Sequence, residues 1–112
     1  MTKARELQEM QFRMMELSSF NLFDGEKVVK SLRANYGIWK RFIFVDCYNS
    51  HVSLRDMEKG KWNADTLLIV VREKFAENMM AVAKFWKANE LSCHKKHLAV
   101  GKGEFLIRVW WD

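Results

Sequence analysis

Five consecutive apolar residues, Leu67-Leu68-Ile69-Val70-Val71, run straight into a helical pattern with no turn residue between the two. Three of the five are β-branched, which suits a strand buried on both faces. From Arg72 to Ala88 the period changes. Phe75, Met79, Val82 and Trp86 recur at steps of four, three and four, Ala76 and Ala83 widen the stripe, and Glu73, Lys74, Glu77, Lys84 and Lys87 take the other side. A buried strand needs a sheet and an amphipathic helix needs a face to lie on, so this unit organises the rest. One long helix over 64–89 is the competing reading, because Leu68 and Val71 continue the stripe. Adjacent β-branched residues lose more side-chain freedom in a helix than in a strand, and this favours strand then helix.

At 112 residues the chain reads as a single domain, 1–112, with room for one core. Its 49% hydrophobic content argues against disorder. Eight phenylalanines, seven methionines and five tryptophans exceed what a surface carries, so they are buried or meet a partner. Proline is absent, which favours regular elements joined by short turns. The first residues open into a charged helical pattern and no apolar run is long enough to span a bilayer, so the expected setting is cytoplasmic, away from membranes.

In chain order, residues 3–18 predict an amphipathic helix with Leu7, Met10, Met14 and Leu17 on one stripe and Met15 beside it. Two accounts of that stripe stand: it covers the core, or its adaptable methionines meet a partner. A second helix is predicted from Asp24, whose carboxylate can cap the first turn, with Phe23 and Val28 placed as a hydrophobic staple and Gly37 at its end. Residues 38–45 predict a strand. The polar stretch 46–63 reads as a long connection with at most a short strand or helical turn at 52–57, and is a candidate binding loop. A strand is expected at 89–94. Residues 97–100 and 104–111 flank Gly101-Lys102-Gly103 as a predicted hairpin, with Phe105, Ile107, Val109 and Trp111 on one face of the last strand and Leu106, Arg108 and Trp110 on the other.

The net charge of +5 is concentrated at 27–41 and 84–102. Basic residues interleaved with aromatics suggest a nucleic-acid or acidic-partner surface built from Lys27, Lys30, Arg33, Trp62, Lys84, Lys87, Lys95 and Lys96, with Phe85 as a second exposed ring. A solvated basic face is the alternative account. Cys47 with His51, and Cys93 with His97, form two Cys-x3-His pairs that offer four ligands to a tetrahedral zinc ion; a buried thiol and surface histidines are the simpler account, because structural zinc sites use shorter cysteine spacings and this core needs no metal to fold. No glycine-rich turn opens a helix, so a nucleotide loop is not indicated.

The expected architecture is α+β: two N-terminal helices, then a mostly antiparallel four- or five-stranded sheet with one long amphipathic helix packed on a face. The expected function is a small non-enzymatic binding module that acts through protein contacts as a homo-oligomer. Its interface would use Met10, Met14, Met15, Trp110 and Trp111, with no cofactor. A basic nucleic-acid-binding protein is the first alternative and a zinc protein the second.

Overall fold

A computed structural model describes residues 2–46, 50–62 and 64–112. Helix α1 (Lys3–Glu16) leads through a two-stranded hairpin, β1 (Ser19–Phe20) and β2 (Phe23–Asp24), into helix α2 (Gly25–Ala34). Strand β3 (Arg41–Val45), helix α3 (Ser50–Met57) and strand β4 (Thr66–Arg72) follow. Helix α4 (Ala76–Ala83) is flanked by 3-10 turns at Glu73–Phe75 and Lys84–Trp86, and strands β5 (Glu90–His94) and β6 (Glu104–Trp110) close the chain. The main sheet is ordered β3-β4-β6-β5 with every neighbouring pair antiparallel. The protein is therefore α+β, with four α-helices and two antiparallel sheets among the described residues.

Alternation along the strands decides which side chains meet the helices. Phe42 and Phe44 of β3, Leu67, Ile69 and Val71 of β4, and Ile107 and Val109 of β6, with Trp111 just beyond it, join one buried cluster with Phe12, Met15, Val28, Val29, Leu32, Met79 and Trp86. The opposite face carries Ile43, Leu68, Val70, Leu106 and Trp110. Arg41 reaches over that face to the carbonyl of Ala99 (3.0 Å), so the segment before β6 lies over one end of it, where Val70 and Leu106 are buried. Ile43 remains exposed.

Two aromatic groups fill the helix side. Phe12 contacts Tyr36, Trp39 and Phe42 with ring centroids 6.0, 6.0 and 4.9 Å away, and Phe23 contacts Phe20, Phe44 and Trp111 at 5.3, 5.1 and 4.6 Å. Two buried indoles find backbone acceptors: Trp39 Nε1 donates to Leu32 O (2.8 Å) and Trp111 Nε1 to Trp86 O (2.9 Å). Each bond satisfies a group that is costly to bury alone.

The strand at 66–71, the last strand and the Asp24 cap are as the sequence predicts, the carboxylate accepting from Lys27 N at 3.2 Å. Four features differ. The single long helix after β4 is instead eight α-helical residues between two 3-10 turns, and its buried line runs Ala76, Met79, Ala83 and Trp86, with Phe75 and Val82 only half-buried. The partner of β6 across the glycine turn is β5 at 90–94, and residues 97–100 form no strand. That pairing sets Leu91 and Cys93 beside Val109 and Ile107, whereas Leu98 is fully exposed. The polar connection contains helix α3. Helix α2 ends at Asn35, whose amide donates to Ser31 O (2.7 Å), and not at Gly37.

Candidate functional site

Helix α1 begins at Thr2, whose hydroxyl accepts from Arg5 N (3.2 Å), and its inward face is not the stripe that the apolar spacing marks out. Phe12 and Met15 are the residues it buries, both at 0% exposure. Beside them Gln8 and Gln11 face the outer edge of β3. The Gln8 amide donates to Phe42 O (2.9 Å) and accepts from Phe42 N (3.0 Å), and Gln11 Oε1 accepts from Phe44 N (2.8 Å). Two glutamines thus stand in for a neighbouring strand and close that edge to another chain.

A third side of α1 is fastened to α2. The Glu9 carboxylate receives Arg33 (2.7 Å), Tyr36 Oη (3.2 Å) and Arg5 (3.5 Å), and the Arg33 guanidinium lies 4.1 Å from the Phe12 ring centroid. The hydrogen bond from Arg33 holds the Glu9 carboxyl below its ordinary range, and the same contact raises the Arg33 pKa. Burial pushes the Tyr36 phenol up.

What α1 turns outward is apolar. Leu7, Met10 and Leu17 are 57, 62 and 70% exposed, and Met14 between them is half-buried. At 3.6 residues per turn this line sits roughly 150° around the helix from Phe12 and Met15. Exposed apolar side chains scattered singly are ordinary, but a line along one helix face is the form a docking surface takes. Of the residues predicted for an interface, Met10 and Met14 lie on this line. Met15 and Trp111 are core residues at 0% exposure, and Trp110 is half-buried with Nε1 donating to Asp65 (3.2 Å). Leu7 and Leu17 lie on the same exposed line, so of the two accounts of the stripe the one in which it covers the core does not hold for them. The signal that could have separated the two faces was Phe12, which lies off the Leu7–Leu17 line and needs a buried face of its own.

The basic residues disperse. Lys27 and Lys87 line one cleft of 370 Å³ with Leu22, Phe85 and Trp86, and Phe85 is 85% exposed. Both non-glycine residues with positive φ in the described chain, Asn21 (49°) and Lys87 (58°), line the same cleft. Lys30 and Lys84 are exposed on α2 and on the turn after α4, and Lys96 is exposed after β5. Lys95 lies 6.0 Å from the Phe105 ring centroid, and Arg33 is held by Glu9. Trp62 is half-buried in a different cleft, with Leu17, Phe20, Lys61, Asp65 and Trp111.

Of the two Cys-x3-His pairs, Cys47 lies outside the described residues, and only the backbone of His51 is described, in α3. Cys93 is exposed on β5, the partial burial of its sulfur pushing the thiol pKa up while Lys95 pulls it down. His97 Nδ1 accepts from Ala99 N (3.0 Å). Among the described residues no three His, Cys, Asp or Glu side chains come together as a metal site. No helix of the described residues is long and apolar enough to cross a membrane.

Comparison with protein-family models, with characterised proteins and with solved structures finds no match for this chain.

Proposed function

We propose that the chain is a small protein-binding module that works through the outward face of α1. The observation that supports this reading is the division of labour on that helix. Phe12, Met15, Gln8 and Gln11 supply its core and sheet contacts, and Leu7, Met10 and Leu17 are left over as exposed apolar side chains. Each apolar side chain held in water forgoes on the order of 1.5–3 kcal/mol that full burial would return. A photo-crosslinking residue at position 10 should yield a discrete protein adduct in cells, and the same residue at position 30, exposed on α2, should not. Absence of an adduct at position 10 sinks the reading.

A second reading is favoured by Phe85, the most exposed aromatic ring in the described chain, which borders a cleft with Lys27 and Lys87. An exposed ring in a cleft that also holds cations offers single-stranded nucleic acid a stacking surface and phosphate contacts, although Asp24 lines the same cleft. Fluorescence anisotropy with a labelled oligonucleotide should then show binding that weakens steeply with salt and is reduced in Phe85→Ala. Equal binding by parent and variant rules this reading out.

A further inference from the structure

The hydrogen bonds at one edge of the main sheet fix which groups are free at the other. In an antiparallel sheet the N–H and C=O of a residue point to the same side, and that side alternates from strand to strand along a row of paired residues. Phe42 turns both groups outward to Gln8. In its row of Phe42, Ile69, Ile107 and Cys93, Ile69 therefore faces Ile107, and Cys93 faces away from β6. The Phe44 N–H, held by Gln11, fixes the row of Phe44, Leu67, Val109 and Leu91 in the same way. The N–H and C=O of both Leu91 and Cys93 thus point out of the sheet along β5. Among the described residues no hydrogen bond reaches these groups. Two glutamines close the β3 edge, and no side chain does the same for β5.

This edge is complementary to itself. A second β5 laid antiparallel about a two-fold axis through Ser92 sets Leu91 of each copy opposite Cys93 of the other, and every outward group of both residues finds a partner. An axis through Leu91 or through Cys93 would instead set some of them opposite Asn89 or Lys95, outside the strand. The Ser92 axis also puts Glu90 opposite His94 of the second copy, twice, on the face away from the helices. A carboxylate there meets a ring that carries an N–H, and no like charges face each other within the strand. Glu90 is bonded by Arg108 at 3.1 Å, yet its side chain stays 61% exposed and open to a second donor. Within β5 there is no lysine or proline, and its register with β6 is unbroken, so the usual guards against edge pairing are missing from it. A foreign strand would satisfy the backbone equally; the match of Glu90 to His94 is one the chain supplies for itself.

We infer that β5 is a docking edge for a second copy of the chain, joined antiparallel about Ser92 so that the two four-stranded sheets continue into each other. The pairing makes no use of the outward face of α1, so it stands apart from the reading of that helix. Two five-residue strands form a small contact, and assembly is therefore concentration-dependent.

Light scattering on the purified chain should rise from 13.4 kDa toward twice that mass as concentration increases. In a Cys47→Ser, Cys93→Ser background, Ser92→Cys alone should oxidise to a cross-linked dimer, because the axis sets the two copies of position 92 directly opposite, with Cα atoms about 4.5 Å apart. Glu90→Cys and His94→Cys should cross-link as a mixture and neither alone, since two copies of position 94 lie four residues, roughly 14 Å, apart along the strands. Cys93→Pro removes an outward N–H and leaves the bonds to β6 in place. It should keep the circular dichroism of the parent and stay monomeric at concentrations several-fold above those at which the parent assembles. A chain that is monomeric throughout, a dimer that position 92 does not cross-link, cross-linking by position 90 or 94 alone, or assembly of folded Cys93→Pro each overturns the inference. A monomer in which a photo-crosslinking residue at position 92 captures a different protein gives the edge to a foreign strand and also overturns it. An adduct at position 10 of a monomeric chain removes the second copy from β5 and leaves the reading of α1 standing.

Discussion

The side-chain amide of Gln8 pairs with both backbone polar groups of Phe42, donating to its carbonyl at 2.9 Å and accepting from its N–H at 3.0 Å. This is the geometry a neighbouring strand would offer, supplied by a helix. Gln11 repeats half of it at Phe44. Gln8→Leu removes both bonds from a part-buried edge and should cost about 1–3 kcal/mol, while Gln11→Leu, losing one bond, should cost less. The exposed β3 edge should also make Gln8→Leu aggregate as protein concentration rises, visible as scattering absent from the parent. Equal stability of parent and Gln8→Leu in urea unfolding refutes the edge-closing role.

Gly25 opens α2 where the helix touches the end of α1, its N–H bonding Ser18 O at 3.2 Å. A Cβ at this position would sit 1.7 Å from Met15 O and 2.5 Å from Ser18 O, and these are backbone atoms that cannot swing aside. Gly25→Ala should therefore destabilise by about 3 kcal/mol, despite the better helix propensity of alanine. Gly37 has nothing within 4 Å of its would-be Cβ, so Gly37→Ala should be neutral or slightly stabilising. Thermal melts of the two variants that coincide would contradict the close approach.

Much of the sheet was legible because strand signals are local. The β-branched run before Arg72 and the alternation from Phe105 to Trp111 each state a strand and its two faces. The direction in which α1 faces was not legible. Periodicity shows that a helix has an apolar line and does not show what lies opposite it. Leu7, Met10, Met14 and Leu17 form the better line, yet Phe12 lies on the side that meets Tyr36, Trp39 and Phe42. Gln8 and Gln11 carry no periodic signal, and their role shows only where β3 stands beside them. The glycine turn misled for a related reason. Gly103 does take positive φ (76°), but a turn signal fixes a reversal and not the register of the strands beyond it. The basic cluster scattered because Arg33 had a carboxylate partner on another helix, 24 residues away in sequence.

Glu104 gathers the charges at one end of the sheet. Its carboxylate accepts from the Lys40 ammonium and from Gly101 N (2.8 Å), and Arg41 lies 3.4 Å away. The Lys40 bond above all, then the Gly101 N–H, lowers its pKa to about 2 from 4.5. A carboxyl depressed by folding adds stability above its unfolded pKa and loses that contribution as pH falls through the folded value. Glu104→Gln should therefore be less stable than the parent near neutral pH, and the gap should close between about pH 4.5 and 2. Glu9, lowered by Arg33, is present in both proteins and cancels in the difference. A gap that stays constant across that window shows that Glu104 acts by packing and not by charge.

Trp110 and Trp111 are adjacent but should respond differently, because β6 alternates faces. Trp111 lies at 0% exposure, with its indole N–H bonded to Trp86 O at 2.9 Å, and Trp110 is half-buried with its N–H on Asp65 at 3.2 Å. Trp111→Phe leaves a buried carbonyl without its donor and opens space in the packed cluster, at a cost of about 2–4 kcal/mol. Trp110→Phe loses a bond that water can replace in part, and should cost about 1 kcal/mol or less. Urea unfolding of each variant, followed by circular dichroism, should give a much lower midpoint for Trp111→Phe with an unchanged slope. A shift of one residue in the pairing of β6 with β4 would carry every side chain of β6 to the other face and exchange the two costs. Trp110→Phe proving the more damaging would thus displace the Thr66–Trp110 register, and with it the assignment of Ile107, Val109 and Trp111 to the core.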